Sequence, residues 1–269
     1  MSRIARSFLF VPGDRPERFS KAAASGAHDV IMDLEDAVAP AAKAQARSAV
    51  AAWLGDGGRA VVRINGADTP WFEEDVVMLH AAPGARVMLP KAEPHSLARL
   101  AQLLPQHAVI ALVETVAGYL ALREVAAARG VERLAFGSVD FAAESGIADE
   151  GEAMTGIRIQ FVLESCRAQL APPVDGVGVE FHDEGTMQAD ALRSRQLGFG
   201  GKLCIHPRQV PAVNGAFRPS EAEVGWAQRV LAAFELSRGA ATSVDGKMID
   251  KPVVERALRI TAESAVDGE

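Results

Sequence analysis

Cysteine is scarce in this chain: Cys166 and Cys204 are the only two in 269 residues, with no C-x-x-C and no histidine at zinc-finger spacing. That excludes a disulfide framework and a structural zinc site, and makes a reducing cytoplasm the expected setting. Long apolar runs are missing too. Glu114 and Arg123 interrupt the most hydrophobic region well short of the ~18 residues that a membrane span needs. Phe8-Leu9-Phe10-Val11 gives way to Pro12-Gly13-Asp14-Arg15 too soon for the core of a signal peptide. Basic charge is in deficit, with 28 Lys and Arg against 35 Asp and Glu for a net −7, which leaves no overall electrostatic footprint for a nucleic-acid backbone. No G-x-G-x-x-G, G-x-S-x-G, G-x-x-x-x-G-K-[ST] or H-E-x-x-H occurs, so dinucleotide-fold, serine-hydrolase, P-loop and zincin readings fall away. The 14 prolines and 24 glycines are dispersed, not gathered into a low-complexity tract. What remains is a compact soluble protein with neither nucleic acid nor membrane as a partner.

Short apolar runs bounded by turn residues or charges recur along the chain and read as buried parallel strands. They are Ser7 to Val11, Val30 to Leu34, Ala60 to Ile64, Arg86 to Leu89, Val109 to Val113, Leu134 to Gly137, Val174 to Val179, and Lys202 to Ile205. Their starts lie on the order of 30 residues apart, the spacing of strands that are each followed by a crossover helix. Helical signals fill the gaps, as in Lys43 to Leu54 and Tyr119 to Arg129. Eight such units match an α/β fold of the (β/α)8 TIM-barrel type better than an open doubly wound sheet. The barrel is expected over residues 1–215. Residues 216–269 read as a C-terminal helical extension and lid: a capping box at Ser220 and Glu223 opens a helix to about Ser237. A flexible stretch from Gly239 to Pro252 follows, then an amphipathic helix bearing Val253, Val254, Ala257, Leu258 and Ile260. So small an extension cannot bury all its apolar surface alone and is expected to pack on the barrel or on a neighbouring subunit.

In such barrels the chemistry sits at the C-terminal ends of the strands. There the chain carries Asp33-Leu34-Glu35-Asp36, Arg63-Ile64-Asn65, Leu89-Pro90-Lys91, Val113-Glu114-Thr115 and Ser138-Val139-Asp140. Period-two geometry groups Asp33 with Glu35, Arg63 with Asn65, and Ser138 with Asp140. Five carboxylates against Arg63, Lys91 and Arg15 leave a local negative excess that a divalent cation relieves. An oxygen-only donor set without clustered His or Cys favours Mg²⁺ over zinc. Glu114 and Asp140, on successive strands, are its candidate ligands. The guanidinium of Arg63 either clamps a substrate carboxylate or neutralises Glu35, and Glu35 and Asp36 are placed to orient it. Lys91 reads as charge-balancing, because acidic neighbours raise a lysine's pKa and oppose Schiff-base chemistry. His206, before Pro207, is either a general base or a loop anchor. Asp250 taken alone reads as the N-cap of the last helix.

Taken in order, Ser7-Phe8-Leu9-Phe10-Val11-Pro12-Gly13, Asp33-Leu34-Glu35-Asp36-Ala37-Val38, Val62-Arg63-Ile64-Asn65, Leu89-Pro90-Lys91, Val113-Glu114-Thr115, Gly137-Ser138-Val139-Asp140-Phe141, Ile205-His206-Pro207 and Asp245-Gly246-Lys247-Met248-Ile249-Asp250-Lys251-Pro252 resemble the citrate lyase β-subunit-like family of the HpcH/HpaI aldolase superfamily. The likeness runs from about residue 6 to 260. It implies a barrel of the phosphoenolpyruvate/pyruvate type, with Mg²⁺ on Glu114 and Asp140, and a keto-acid carboxylate on Arg63. Asn65, Lys91 and Glu114 complete the expected substrate contacts. It also implies a homotrimer or homohexamer in which the C-terminal segment covers a neighbour's site and supplies Asp250 as acid/base; Glu35 or a metal-bound water stands second for moving protons. The implied reaction is cleavage or formation of a carbon–carbon bond in a 3-hydroxyacyl-CoA such as citryl-, malyl- or citramalyl-CoA, with a keto acid and an acyl-CoA thioester as partners. The helix after Pro12-Gly13-Asp14, with Arg15, Arg18 and Lys21, either meets coenzyme A phosphates or is a solvated face. Two alternatives stay open: a metal-dependent aldolase acting on free 4-hydroxy-2-keto acids, and a non-autonomous subunit of a citrate lyase complex.

Overall fold

A computed structural model describes residues 5–237 and 242–265. Chain contacts divide the protein into two compact units, one ending at Gly215 and one formed by the segment from Ala216 onward.

The first unit is a closed barrel of parallel strands in sequence order: β1 (Ser7–Pro12), β2 (Asp29–Asp33), β3 (Val61–Arg63), β4 (Arg86–Leu89), β5 (Val109–Val113), β6 (Val131–Phe136), β7 (Ala171–Asp175) and β8 (Gly201–Cys204), with β8 pairing back on β1. Helices link the strands, which makes this a (β/α)8 barrel. Phe8, Ile31, Val61, Met88, Ile110, Leu112, Ala135, Val174 and Leu203 fill its interior. Alternation along each strand therefore aims Asp33, Arg63 and Glu114, each an even number of residues further on, toward the mouth. Both cysteines are free, Cys204 buried and Cys166 exposed. Among the described residues no helix is long and apolar enough to cross a membrane.

Several elements differ from the sequence expectation. β6 begins at Val131, not Leu134, because Arg133 is a buried strand residue: it donates to the carbonyls of Pro172 and Ala5 and lies over the Phe8 ring. β7 ends at Asp175, not Val179, and starts at Ala171, running through Pro172 and Pro173 where its register against β6 shifts. The helix expected over Tyr119 to Arg129 is broken at Ala121 into Val116–Leu120 and Leu122–Ala126. Ser138 and Asp140 do not extend a strand. They lie in the first turn of the helix Ser138–Ser145, so period-two geometry does not relate them.

The C-terminal unit contains a helix Glu221–Leu236, opened by the Ser220/Glu223 capping box, and a helix Lys251–Ala265. Between them, where a flexible stretch was expected, Thr242–Val244 (β9) and Lys247–Ile249 (β10) pair antiparallel about a turn with Asp245 at φ 52 and Gly246 at φ 74. Two successive residues at positive φ are what a tight two-residue hairpin turn requires. Residues 239–241 of that stretch lie outside the described residues. Ala227, Val230, Ile249, Val254, Ala257 and Ile260 give the unit a core of its own.

Candidate active site

The β2–β3 side of the mouth is built on ion pairs. Asp33 accepts from Arg63 Nε at 2.7 Å and Nη2 at 2.6 Å, while its two oxygens also accept from the backbone N–H groups of Glu35 and Ala37. Arg63 Nη1 pairs with Glu35 Oε2 at 3.0 Å, and its guanidinium lies 4.8 Å from the centre of the Phe10 ring. Glu35 Oε1 accepts from Lys91 Nζ at 3.1 Å. Burial by itself lowers the Arg63 pKa. The hydrogen bonds and charge of Asp33, then Glu35 and Glu114, outweigh burial and hold the group above its ordinary value. Burial raises Glu35 despite the opposing pull of Arg63. A guanidinium has five N–H donors; with Asp33 and Glu35 engaging at most three, two remain for a ligand. The two roles weighed for Arg63, neutralising carboxylates and gripping an anion, are therefore compatible.

Asp36 is exposed, and its backbone N–H donates to Glu35 Oε2. Asn65 is buried, and both its backbone N–H and its side-chain Nδ2 donate to Asp75 Oδ2, at 2.9 and 2.6 Å. Asp75 in turn accepts from Arg47. Asn65 is thus tied through Asp75 to the helix behind it. Lys43, which the sequence did not single out, is buried and donates to the carbonyls of Leu34 and Glu35 at 2.7 Å each, holding the Asp33–Asp36 turn.

Lys91 links the two sides of the mouth. Its φ of 46 lies in the left-handed region that is strained for a side-chain-bearing residue. That conformation sends its N–H to Glu114 Oε1 at 2.9 Å, while the next N–H, of Ala92, meets the Leu112 carbonyl. Burial pulls the Lys91 pKa down, but Glu35 and then Glu114 more than offset it, so the ammonium is held above its ordinary range.

The β5–β6 side is different. Glu114 is 2% exposed, and among the described residues no ion pair reaches it. Burial first, then the charge of Glu35, and also that of Asp140, push its pKa up to about 8. Gly137 makes the seat: a Cβ there would overlap the Glu114 side chain. Asp140 is exposed on the first turn of Ser138–Ser145. The charge of Arg63 opposes the rise of the Glu114 pKa without forming an ion pair, and a buried carboxylate near a second one is a donor set that a divalent cation would satisfy. Among the described residues no three His, Cys, Asp or Glu side chains gather into a metal cage. Mg²⁺ is commonly held by one or two carboxylates and completes its shell with water and substrate.

His206 is half-buried, with Nδ1 accepting from the Arg208 N–H and its ring stacked 4.9 Å from Phe181. Asp250 belongs to the C-terminal unit, where Oδ1 accepts from the Val253 N–H at 3.3 Å, the geometry of an N-cap.

The fold and this mouth define a (β/α)8-barrel enzyme with an anchored arginine facing a pair of carboxylates. Residues 6–207 match the family described as HpcH/HpaI aldolase/citrate lyase. A citrate lyase subunit beta-like protein of Mycobacterium tuberculosis is 40% identical over 256 residues, covering 93% of this chain and 92% of that one. An L-malyl-CoA/beta-methylmalyl-CoA lyase of Cereibacter sphaeroides is 33% identical, covering 98% and 95%. Protein CitE of Mycobacterium tuberculosis, solved in complex with magnesium, acetoacetate and coenzyme A, superposes with a TM-score of 0.85 at 35% identity over 97% of this chain and 98% of that one. The citrate lyase beta subunit of the same organism, complexed with oxaloacetate and magnesium, gives 0.72 at 37% identity over 80% and 98%. The chain belongs to the HpcH/HpaI aldolase/citrate lyase family, and it is a carbon–carbon lyase.

Proposed function

We propose that this lyase is Mg²⁺-dependent and acts on a 3-hydroxyacyl-CoA such as citryl-, malyl- or citramalyl-CoA, releasing a keto acid and acetyl-CoA or running in reverse. The observation that carries this reading is the division of the mouth: Arg63 is anchored with N–H groups to spare, and Glu114 is buried near Asp140 without an ion-pair partner. The relatives support it, since their names include a malyl-CoA lyase and a complex with magnesium and coenzyme A.

Glu114 and Asp140 would hold the ion, which when bound supplies Lewis acidity and a template for the keto-acid oxygens. Arg63 offers its spare N–H groups to the keto-acid carboxylate, fixing the half of the substrate that stays when the thioester half leaves. Asp33 stops the guanidinium from turning, and Lys91 fixes Glu35 beside it. A base takes the substrate hydroxyl proton, the carbon–carbon bond opens, and the acetyl-CoA enolate is then protonated. Asp250 from an adjacent copy in a homotrimer or homohexamer is the leading group for these transfers, and Glu35 is the second. Asn65 contributes Oδ1 to the substrate pocket. A cytoplasmic location belongs to the same proposal.

The test is turnover of the purified chain on malyl-CoA and citramalyl-CoA against 4-hydroxy-2-keto acids, with and without Mg²⁺. Thioester cleavage that needs Mg²⁺ is expected. Cleavage of the free acids alone would replace this reading with an aldolase, and inactivity except in a larger assembly would replace it with a citrate lyase subunit.

A further inference from the structure

Ser138 is 1% exposed, and its hydroxyl is a buried polar atom with no hydrogen-bond partner among the described residues. Buried hydroxyls are almost always satisfied, so an orphan at the edge of a ligand site calls for a missing acceptor or donor. The place of this hydroxyl follows from two glycines. Gly176 directly follows β7, and Ser138 opens the helix after β6. A Cβ on Gly176 would overlap the Ser138 hydroxyl, so that hydroxyl lies between the ends of β6 and β7. The preceding residue, Gly137, is the one whose missing Cβ seats Glu114. Ser138 is thus one peptide away from the contact that places a candidate ion ligand. In the closed ring of strands β7 stands opposite β3, so Ser138 and Arg63 lie on opposite sides of the mouth.

We infer that Ser138 touches substrate: its hydroxyl donates a hydrogen bond to an oxygen of the bound keto acid. The inference rests on the function proposed above. It makes Ser138 a residue that sets affinity for the keto-acid half, and it gives Gly176 a reason to be glycine, since any side chain there would displace the hydroxyl.

Calorimetric titration of pyruvate into the Mg²⁺-loaded full chain, compared between the native protein and Ser138→Ala, tests it. A lost hydrogen bond to an anionic ligand predicts about tenfold weaker pyruvate binding, with KM for the thioester rising more than kcat falls. The melting temperature of Ser138→Ala should equal or exceed the native one, because the variant removes an orphaned hydroxyl; a hydroxyl with a structural role would lower it. Ser138→Cys, of similar size and weaker as a donor, is read by the same criterion if the alanine variant does not fold. Pyruvate affinity within twofold of native in a folded variant would overturn the inference alone. Failure of the native protein to bind pyruvate or cleave any thioester would overturn the proposed function and this inference with it.

Discussion

The two sides of the barrel mouth solve the same electrostatic problem in opposite ways. At β2–β3, Asp33 and Glu35 are buried against Arg63 and Lys91, and every carboxylate oxygen in the pair has a donor. At β5–β6, Glu114 is as deeply buried but has only one backbone N–H, and its neighbour Asp140 adds like charge. Burying ions without partners is costly, so the first side is satisfied within the fold, and the proposed function has a cation satisfy the second. The comparison separates carboxylates paired within the fold from a buried carboxylate that no ion pair reaches among the described residues.

The largest effect should come from the second side. Asp140→Ala should lower Mg²⁺-dependent turnover of malyl-CoA on the order of a thousandfold while leaving the circular dichroism spectrum and melting temperature near native, because the side chain is exposed. Unchanged turnover would erase the distinction between the two sides. On the first side, Asp33→Ala leaves a buried guanidinium short of its main partner, and about 3–5 kcal/mol of stability should be lost, measured by urea unfolding. A loss under 1 kcal/mol would mean that the paired side is not held by its ion pairs.

The Glu114 carboxyl sharpens the contrast through pH. Its folded pKa, about 8, is raised above the ordinary value of 4.5, so the unfolded chain releases this proton first as pH rises. Its contribution is favourable below the unfolded pKa and is lost through the window up to about 8. Metal-free Glu114→Gln should therefore match the native protein in stability below about pH 4.5 and exceed it by a margin that grows to about pH 8 and then levels. A constant margin across that range would contradict the assignment. The smallest effect should be that of Lys91→Met. The side chain is 46% exposed, so loss of its pair with Glu35 should cost no more than about 1 kcal/mol, even as kcat/KM falls through the misplaced Glu35.

Much of the barrel was legible because strands buried on both faces read as uninterrupted apolar runs. The failures have physical causes. Arg133 breaks the apolar run of β6, yet it is buried at the barrel floor among carbonyl acceptors, a tertiary solution invisible along the chain. Pro172 and Pro173 argue against a strand, and β7 accommodates them where its register against β6 shifts. The Asp245-Gly246 pair was a usable hairpin signal that the polar composition around it obscured. In the site, Arg63, Glu35, Lys91 and Glu114 could be found by taking polar residues at strand ends. The supports behind the mouth could not: Asp75, Arg47 and Lys43 come from helices. Asp33 was visible at its strand end, but the main hold on Arg63, which it takes, was expected of Glu35 and Asp36.

The most direct test of the unfinished carboxylate pair is a crystal grown with Mg²⁺ and oxaloacetate. The account predicts one cation about 2.1 Å from carboxylate oxygens of both Glu114 and Asp140, with the keto acid reaching from it to Arg63. A cation bound elsewhere, or Glu114 and Asp140 turned apart with nothing between them, would contradict it.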